Sequence, residues 1–342
     1  MALETKKQSS NCLKPSVSIV VPVYNGACTI QACIESLLQQ NYPADAYEII
    51  IVENGSTDNT TELVEKYPVR LFHNDKRGPA PARNLGIAKS EAEIVAFTDA
   101  DCIADPNWLH ELTRPYNDPD VGGVGGAILA YQHAHRNEVE MFADENSPLI
   151  NFLSGEHEFL PHLYTANASY RHRLLNEIGS FNIHLITGED VDMAWRLQLK
   201  TGCKLCFAPQ AISYHHHRTT RGGLVRQYYQ YGFGEIVLDT MYSCYPTYPR
   251  NLRFQIRRTL GQLMALPRYM LSAGLRQIRL ATGRASRYEA TWPLLCFLVE
   301  SSNLRGKLAG LVATRFMRDI RPVFKMDTDK LIDRFYGGHR KP

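Results

Sequence analysis

A chain of 342 residues with 44% hydrophobic and 10% aromatic content can bury a sizeable core, as one large domain or two smaller ones, which excludes extensive disorder. The formal net charge of +3 hides an asymmetry: from Arg250 to the C-terminus there are 19 Lys+Arg against 6 Asp+Glu, whereas the rest carries 19 against 29. An acidic body with a basic C-terminal stretch points to two separate tasks. Eight cysteines sit at irregular spacings, and the CxxC of Cys203 and Cys206 has neither a second pair nor suitably spaced histidines. That favours reduced, buried thiols in a cytoplasmic chain over a zinc site.

Residues 1–15 lack a continuous apolar run, so a disordered polar tail is expected there rather than a secretory signal. VSIVVPVY (17–24) reads as a buried strand, TIQACIESLLQQ (29–40) as a helix, and YEIIIVE (47–53) as a second strand. NGSTDNT is a turn and cap before the helix TELVEKY. VRLFH (69–73) is a third strand, PAPARNLGIAKS (79–90) a proline-started helix, and EIVAFTD (93–99) a fourth strand. Strand–helix alternation with short connections predicts an α/β fold with a mostly parallel sheet. Ligands of such sheets gather at the carboxyl ends of strands, where Glu53 and Asp99 stand.

PNWLHELTRPY then predicts a helix and VGGVGGAILAY a strand, its glycines allowing close backbone approach rather than forming a dinucleotide fingerprint. Residues 136–163 read as an irregular polar segment of the kind that forms binding loops. LYTANASYRHRLLNEIGSF (163–181) and ITGEDVDMAWRLQLKTG (186–202) resemble turn–helix units, and KLCFAPQAISYHHH (204–217) reads as strand, turn, strand. Beyond Arg221 three helical patterns interleave apolar residues with arginines. None offers the ~18–20 uncharged apolar residues of a membrane span. Such helices would lie on an anionic membrane surface, pack on the α/β body, or form a homo-oligomer contact. Nothing in the pattern asks for nucleic acid.

Four clusters carry chemistry. In FTDADC, Asp99 and Asp101 end the fourth strand; if the strand pleat persists they share a face, and two carboxylates so placed suit Mg²⁺ or Mn²⁺. In IIIVENGSTDNT, Glu53 could accept a hydrogen bond from a base edge, and Asp58 could do the same or cap the next helix. Pro22 and Tyr24 close the first strand, where an aromatic could stack on a base. In TGEDVDMAW, Glu189, Asp190 and Asp192 crowd a helix start; there they could serve the helix dipole, or Asp190 could take a proton from a substrate hydroxyl. In SYHHHRTT, strand alternation places His215 and His217 on one face, where a histidine could complete a cation shell. A nucleotidyltransferase, or a non-catalytic nucleotide-sugar-binding scaffold, could use the same features.

Taken in order, VSIVVPVYNG, IIIVENGSTDNT, GPAPARNLGIAKS, FTDADC, TANASYRH, GED and the histidine–arginine run resemble the family 2 glycosyltransferases of GT-A fold. The resemblance runs from about Val17 to Arg226. It implies a glycosyltransferase domain over 16–220, with a donor half at 16–102 and an acceptor half at 103–220; the charge and helical pattern beyond it mark a basic amphipathic helical region at 221–342. It implies inverting, non-processive hexosyl transfer from a nucleotide sugar, most commonly a UDP-sugar, to an acceptor hydroxyl on a sugar, glycan or lipid-linked sugar. It implies Pro22, Tyr24, Glu53 and Arg83 around the nucleoside and Asp99 near the ribose or sugar. Asp101 would be the main metal ligand, with His215 as a further contact and Mg²⁺ or Mn²⁺ as the ion. Asp190 would be the catalytic base, supported by Glu189, and Asn167 would lie near donor sugar or acceptor. One departure stands out: Glu53-Asn54 occupies a place where many relatives carry two aspartates. A membrane-bound acceptor would put the protein on the cytoplasmic, inner face of a membrane.

Overall fold

A computed structural model of the chain describes residues 16–147, 159–245, 248–250 and 252–315. The tail at 1–15, part of the polar segment and the last part of the basic region lie outside these residues. Four parallel strands form one side of the sheet: β1 (Val17–Val23), β2 (Tyr47–Glu53), β3 (Arg70–His73) and β4 (Ile94–Thr98). Their connections are the helices α1 (Ile30–Leu38), α2 (Thr60–Val64) and α3 (Pro79–Lys89). Strands β1, β2 and β4 are buried on both faces over most of their length, which is why they read as continuous apolar runs rather than alternations, whereas β3 is a part-exposed edge strand. Ile19, Val21 and Ile51 pack towards α1 with Ile34 and Leu37, whereas Val20, Ile50 and Val52 pack towards α3 with Ile87.

The second half adds β5 (Cys102–Ala104), α4 (Trp108–Thr113), β6 (Val121–Ala130), α5 (Glu138–Glu145), β7 (Asn167–Arg171), α6 (His172–Ile178), α7 (Glu189–Thr201) and β8 (Lys204–His215). The eight-stranded sheet runs β3-β2-β1-β4-β7-β6-β8-β5. It is mixed, because β7 lies antiparallel between β4 and β6, and β5 is antiparallel to β8.

Three expectations need correction. The TANAS segment is not a turn before a helix. It forms β7 in mid-sheet, because pairing Phe97 with Ala168 and Val95 with Tyr170 buries both side chains of β7 in the core. Residues 204–215 are one strand, not two: the register on β6 shifts between Gly126 and Ala127, so the Pro209 region is absorbed as a bulge. The polar segment after 136 contains a helix, α5, nucleated by a capping box in which Asn137 accepts from the Glu140 N–H and Glu140 accepts from the Asn137 N–H.

Three long helices follow: α8 (Arg221–Tyr242), α9 (Leu252–Ala281) and α10 (Arg287–Arg315). Helix α8 joins the body through Trp195, Phe233, Val237 and Tyr242, and the Tyr242 hydroxyl donates to Asp192 Oδ1 at 2.7 Å. It crosses α10 at close range: a Cβ on Gly232 would sit 2.0 Å from the Asn303 carbonyl oxygen, and one on Gly306 would sit 2.0 Å from that of Tyr229. Only glycine permits that approach. No helix among the described residues is long and apolar enough to cross a membrane.

Candidate active site

The carboxyl ends of β1, β2 and β4 open onto a cleft of about 1020 Å³, walled on the far side by the start of α7, the segment after β8 and the inner face of α8. Pro22, Tyr24, Arg83, Asp99, Asp101, Glu189, Asp190 and His215 all line it, so eight of the residues singled out in the sequence converge. The loop after β1 is stapled to the loop after β2. Asn25 Oδ1 accepts from the Thr57 N–H at 2.8 Å, Gly26 N–H donates to Thr60 Oγ1 at 2.9 Å, and Ala27 N–H donates to Asp58 Oδ2 at 3.2 Å.

This stapling decides the fate of Asp58, which does not line the cleft. Its other oxygen accepts from the Thr60 N–H and hydroxyl, so both carboxylate oxygens are taken up by the two loops and the helix N-cap falls to Asn59. Glu53 is likewise turned from the cleft. It accepts from the Ser56 N–H and faces His73 Nδ1 at 3.2 Å. Burial raises its carboxyl, but these hydrogen bonds outweigh burial and hold it below the usual range. The neighbouring Asn54 lines the cleft instead, its Nδ2 donating to the Gly78 carbonyl at 2.9 Å. A strand end exposes one of two adjacent residues to a given face, and here the amide was chosen over the acid.

Asn167 is also corrected. It is fully buried at the start of β7, accepts from the Trp108 indole N–H at 2.8 Å and donates to the carbonyls of Ala127 and Ala211 at 2.8 Å each. A Cβ on Gly126 would meet its amide at 2.5 Å. Its polar atoms knit three strands and α4 and do not reach the cleft.

Arg83 is the centre of the charge arrangement. Rising from α3, it is 4% exposed, donates Nη1 to Glu189 Oε1 at 2.7 Å and Nη2 to Asp99 Oδ1 at 2.9 Å, and lies over the Phe181 ring. Its expected place beside the nucleoside is therefore taken over by two protein carboxylates, one from each half of the domain. Asp99 thus has a fixed cationic partner. Nor do Asp99 and Asp101 share a strand face: β4 ends at Thr98, and residues 99–101 turn so that the Cys102 N–H bonds the Asp99 carbonyl at 3.0 Å.

Asp101 lies beside the end of β8. His215 Nε2 lies 3.6 Å from its Oδ1, and Arg218 Nη1 lies 3.6 Å from its Oδ2. His215 is 4% exposed and its Nδ1 has no hydrogen-bond partner. A gap of 3.6 Å between a carboxylate oxygen and an imidazole nitrogen is too long for a hydrogen bond. Cis ligands of an octahedral ion at about 2.1 Å stand about 3.0 Å apart, so the two groups would close by about half an ångström to share one. No cluster of three or more His, Cys, Asp or Glu fit to hold a metal occurs among the described residues. An ion here would therefore have two protein ligands, and substrate oxygens and water would complete its shell, a habit of Mg²⁺. His217 stacks edge-on to His215 and is pushed down to about 4, by burial first and then by the His215 charge.

The start of α7 supplies the other acids. Asp192 turns inward to Arg196 and Tyr242 and is structural. Glu189 is buried; desolvation and the Asp190 charge push it up to about 7, with Arg83 opposing. Asp190 is half-buried, and burial raises its carboxyl against the pull of Arg83. Of the three, Asp190 is the one that forms no ion pair with an arginine among the described residues; its Oδ1 accepts from the Val191 N–H at 2.9 Å, and it lines the cleft. Sequence reasoning missed Asn54, Arg218 and the α8 pair Gln227 and Tyr231, which are hydrogen-bonded at 2.8 Å and line the α8 wall of the cleft. The HHHR run marked Arg218; only the fold brings α8 to the cleft.

A mixed sheet whose parallel half offers acids at its strand ends, closed by an acidic helix start, defines a GT-A glycosyltransferase fold. The profile described as "Glycosyl transferase family 2" matches residues 18–179. Glycosyltransferase AglE of Haloferax volcanii is 31% identical over 229 residues, covering 65% of this chain and 73% of that protein. A Methanococcus voltae protein named dolichyl N-acetyl-alpha-D-glucosaminyl phosphate 3-beta-D-2,3-diacetamido-2,3-dideoxy-beta-D-glucuronosyltransferase is 22% identical over 313 residues, 86% of this chain and 97% of that one. The mannosyltransferase PcManGT of Pyrobaculum calidifontis, solved with GDP-Man and Mn²⁺, superposes with a TM-score of 0.61 at 20% identity, covering 88% of each chain. The chain belongs to glycosyl transferase family 2 and is a glycosyltransferase.

Proposed function

We propose that the protein moves a hexose from a nucleoside diphosphate sugar, a UDP-sugar before a GDP-sugar, to an acceptor hydroxyl with inversion at the anomeric carbon. The observation that carries this is the pairing of Asp101 with His215 at 3.6 Å on one wall of the cleft whose other wall holds Asp190. Pro22, Tyr24 and Asn54 form the wall available to the nucleoside. Asp101 and His215 would hold a Mg²⁺ or Mn²⁺ ion, which when bound neutralises charge on the diphosphate. Asp190 accepts the proton of the acceptor hydroxyl as that oxygen forms a bond to the anomeric carbon. The bond to the donor's phosphate oxygen breaks on the opposite face, and nucleoside diphosphate leaves with its electron pair. Raised by burial, Asp190 is a stronger base than an ordinary aspartate. Glu189, tied to Arg83, supports it by keeping that guanidinium between the two halves of the site.

The acceptor is proposed to be a lipid-linked sugar, a reading supported by the dolichyl phosphate in the name of the Methanococcus relative. The test is a panel of UDP-, GDP- and dTDP-sugars scored by nucleoside diphosphate release, with lipid-linked sugars and simple glycosides as acceptors. The Asp190→Asn variant should lose roughly 10²–10⁴-fold in turnover while folding normally. Chelation should stop turnover and added Mg²⁺ or Mn²⁺ should restore it. Wild-type turnover by Asp190→Asn, or indifference to EDTA, would remove the corresponding role.

A further inference from the structure

Helix α9 is built inside out. The face it turns to α10 is mostly polar beside Tyr269, which packs on the cluster of Leu295, Cys296 and Val299: Gln262 donates to Glu300 and Asn303, Arg276 to the Glu289 carbonyl, and Gln277 to the Ala290 carbonyl. The face it turns to solvent is apolar. Ile256, Leu260, Leu263, Met264, Leu271 and Ile278 recur there at helical spacing, with Met264, Leu271 and Ile278 at 67%, 69% and 64% exposure. From Ile256 to Ile278 this stripe runs about 33 Å. Contiguous exposed apolar surface of such length marks an interaction site.

The charges beside it choose the occupant. Between Asp239 and Glu289 the chain has nine arginines and no acidic residue. Arg257, Arg268 and Arg279, each exposed, recur every eleven residues and so line one border of the stripe. A second copy docking symmetrically would bring this arginine row against itself with no carboxylate on α9 to answer it. Anionic lipid headgroups answer it directly, and the acyl boundary takes the leucines.

We propose that the outward face of α9 docks on an anionic lipid bilayer, the helix lying in the interface plane. This rests on α9 alone and stands whether or not the proposed transfer reaction is correct. The test is sedimentation of the full chain with vesicles of phosphatidylcholine, with and without phosphatidylglycerol. The chain should pellet with the anionic vesicles at low salt, and binding should vanish near 1 M salt, where the screening length is about 3 Å. Replacing Arg257, Arg268 and Arg279 together by Gln should weaken binding roughly a hundredfold, about fivefold for each charge. Replacing Leu263, Leu271 and Ile278 by Ser should also abolish it, with an unchanged thermal melt reporting an intact fold. Equal recovery in the supernatant with and without anionic vesicles would overturn the proposal. So would a lipid-free dimer, seen by light scattering, that the serine variant dissolves.

Discussion

Two helices of this protein obey the same sequence pattern and point it in opposite directions. Helix α1 buries Ile30, Cys33, Ile34 and Leu37 beneath the sheet. Helix α9 repeats apolar residues at the same period, yet among its described residues none is fully buried, and glutamine and arginine join Tyr269 in touching α10. The difference lies in what each helix meets. Beneath α1 is a sheet face with no polar groups left to pair, so burying apolar surface there contributes about 25 cal/mol per Å². Against α9 is a helix presenting Glu300, Asn303 and Lys307, which demand hydrogen-bond partners when buried. A periodic pattern therefore shows that a helix has two faces, and its neighbour decides which one is inside.

The sharpest way to break this comparison is to place one charge on each helix. Ile34→Asp should cost several kcal/mol, a large fraction of the ~5–15 kcal/mol that holds a domain together, and yield insoluble or unfolded protein. Soluble, cooperatively melting Ile34→Asp protein would mean that α1 is not sealed against the sheet. Next in size is Arg83→Met, which leaves the buried Glu189, and the part-exposed Asp99 beside it, without their partner. Loss of such a pair costs about 3–5 kcal/mol, read as a lower denaturation midpoint. A fall below about 1 kcal/mol would show that the two halves are not joined there.

A smaller effect is one of pH. The base form of Asp190 is the active one in the proposed reaction, and its folded-state carboxyl is raised by burial. Activity should therefore fall as pH drops, beginning above the ordinary aspartate range of about 3.9. Because Arg83 pulls both Glu189 and Asp190 down, Arg83→Met should move that limb to higher pH. A limb unmoved, or moved to lower pH, would disconnect Arg83 from the base. The smallest effect is Leu271→Asp on α9, expected within about 0.5 kcal/mol of wild type in a lipid-free melt. A loss above about 2 kcal/mol would show that protein, not solvent or lipid, covers that face.

Much of the parallel half was legible in the sequence. Strands buried on both faces must be continuous β-branched runs, so β1, β2 and β4 announced themselves, and their carboxyl ends marked the cleft before any coordinates. Strand β7 did not, because NASYR owes its extension to two neighbours, not to its own propensity. The bulge in β8 stayed hidden for a similar reason: its two parts are one strand only because β6 pairs with both.

Within the site, local chemistry marked which residues could act, and Asp101, Asp190 and His215 line the cleft. What a side chain can do is intrinsic to it; whether it is free to do so depends on partners distant in the chain. Arg83 reached Asp99 and Glu189 first, Asn167 was absorbed among three strands, and Glu53 and Asp58 were spent on their own turns. Strand runs, helix periods and the basic C-terminal stretch were thus determined by the sequence itself, since they follow from local sterics and composition. Which acids remained for substrate, and which way α9 faces, were decided by the tertiary structure alone, because hydrogen bonds and burial are settled by groups that only folding brings together.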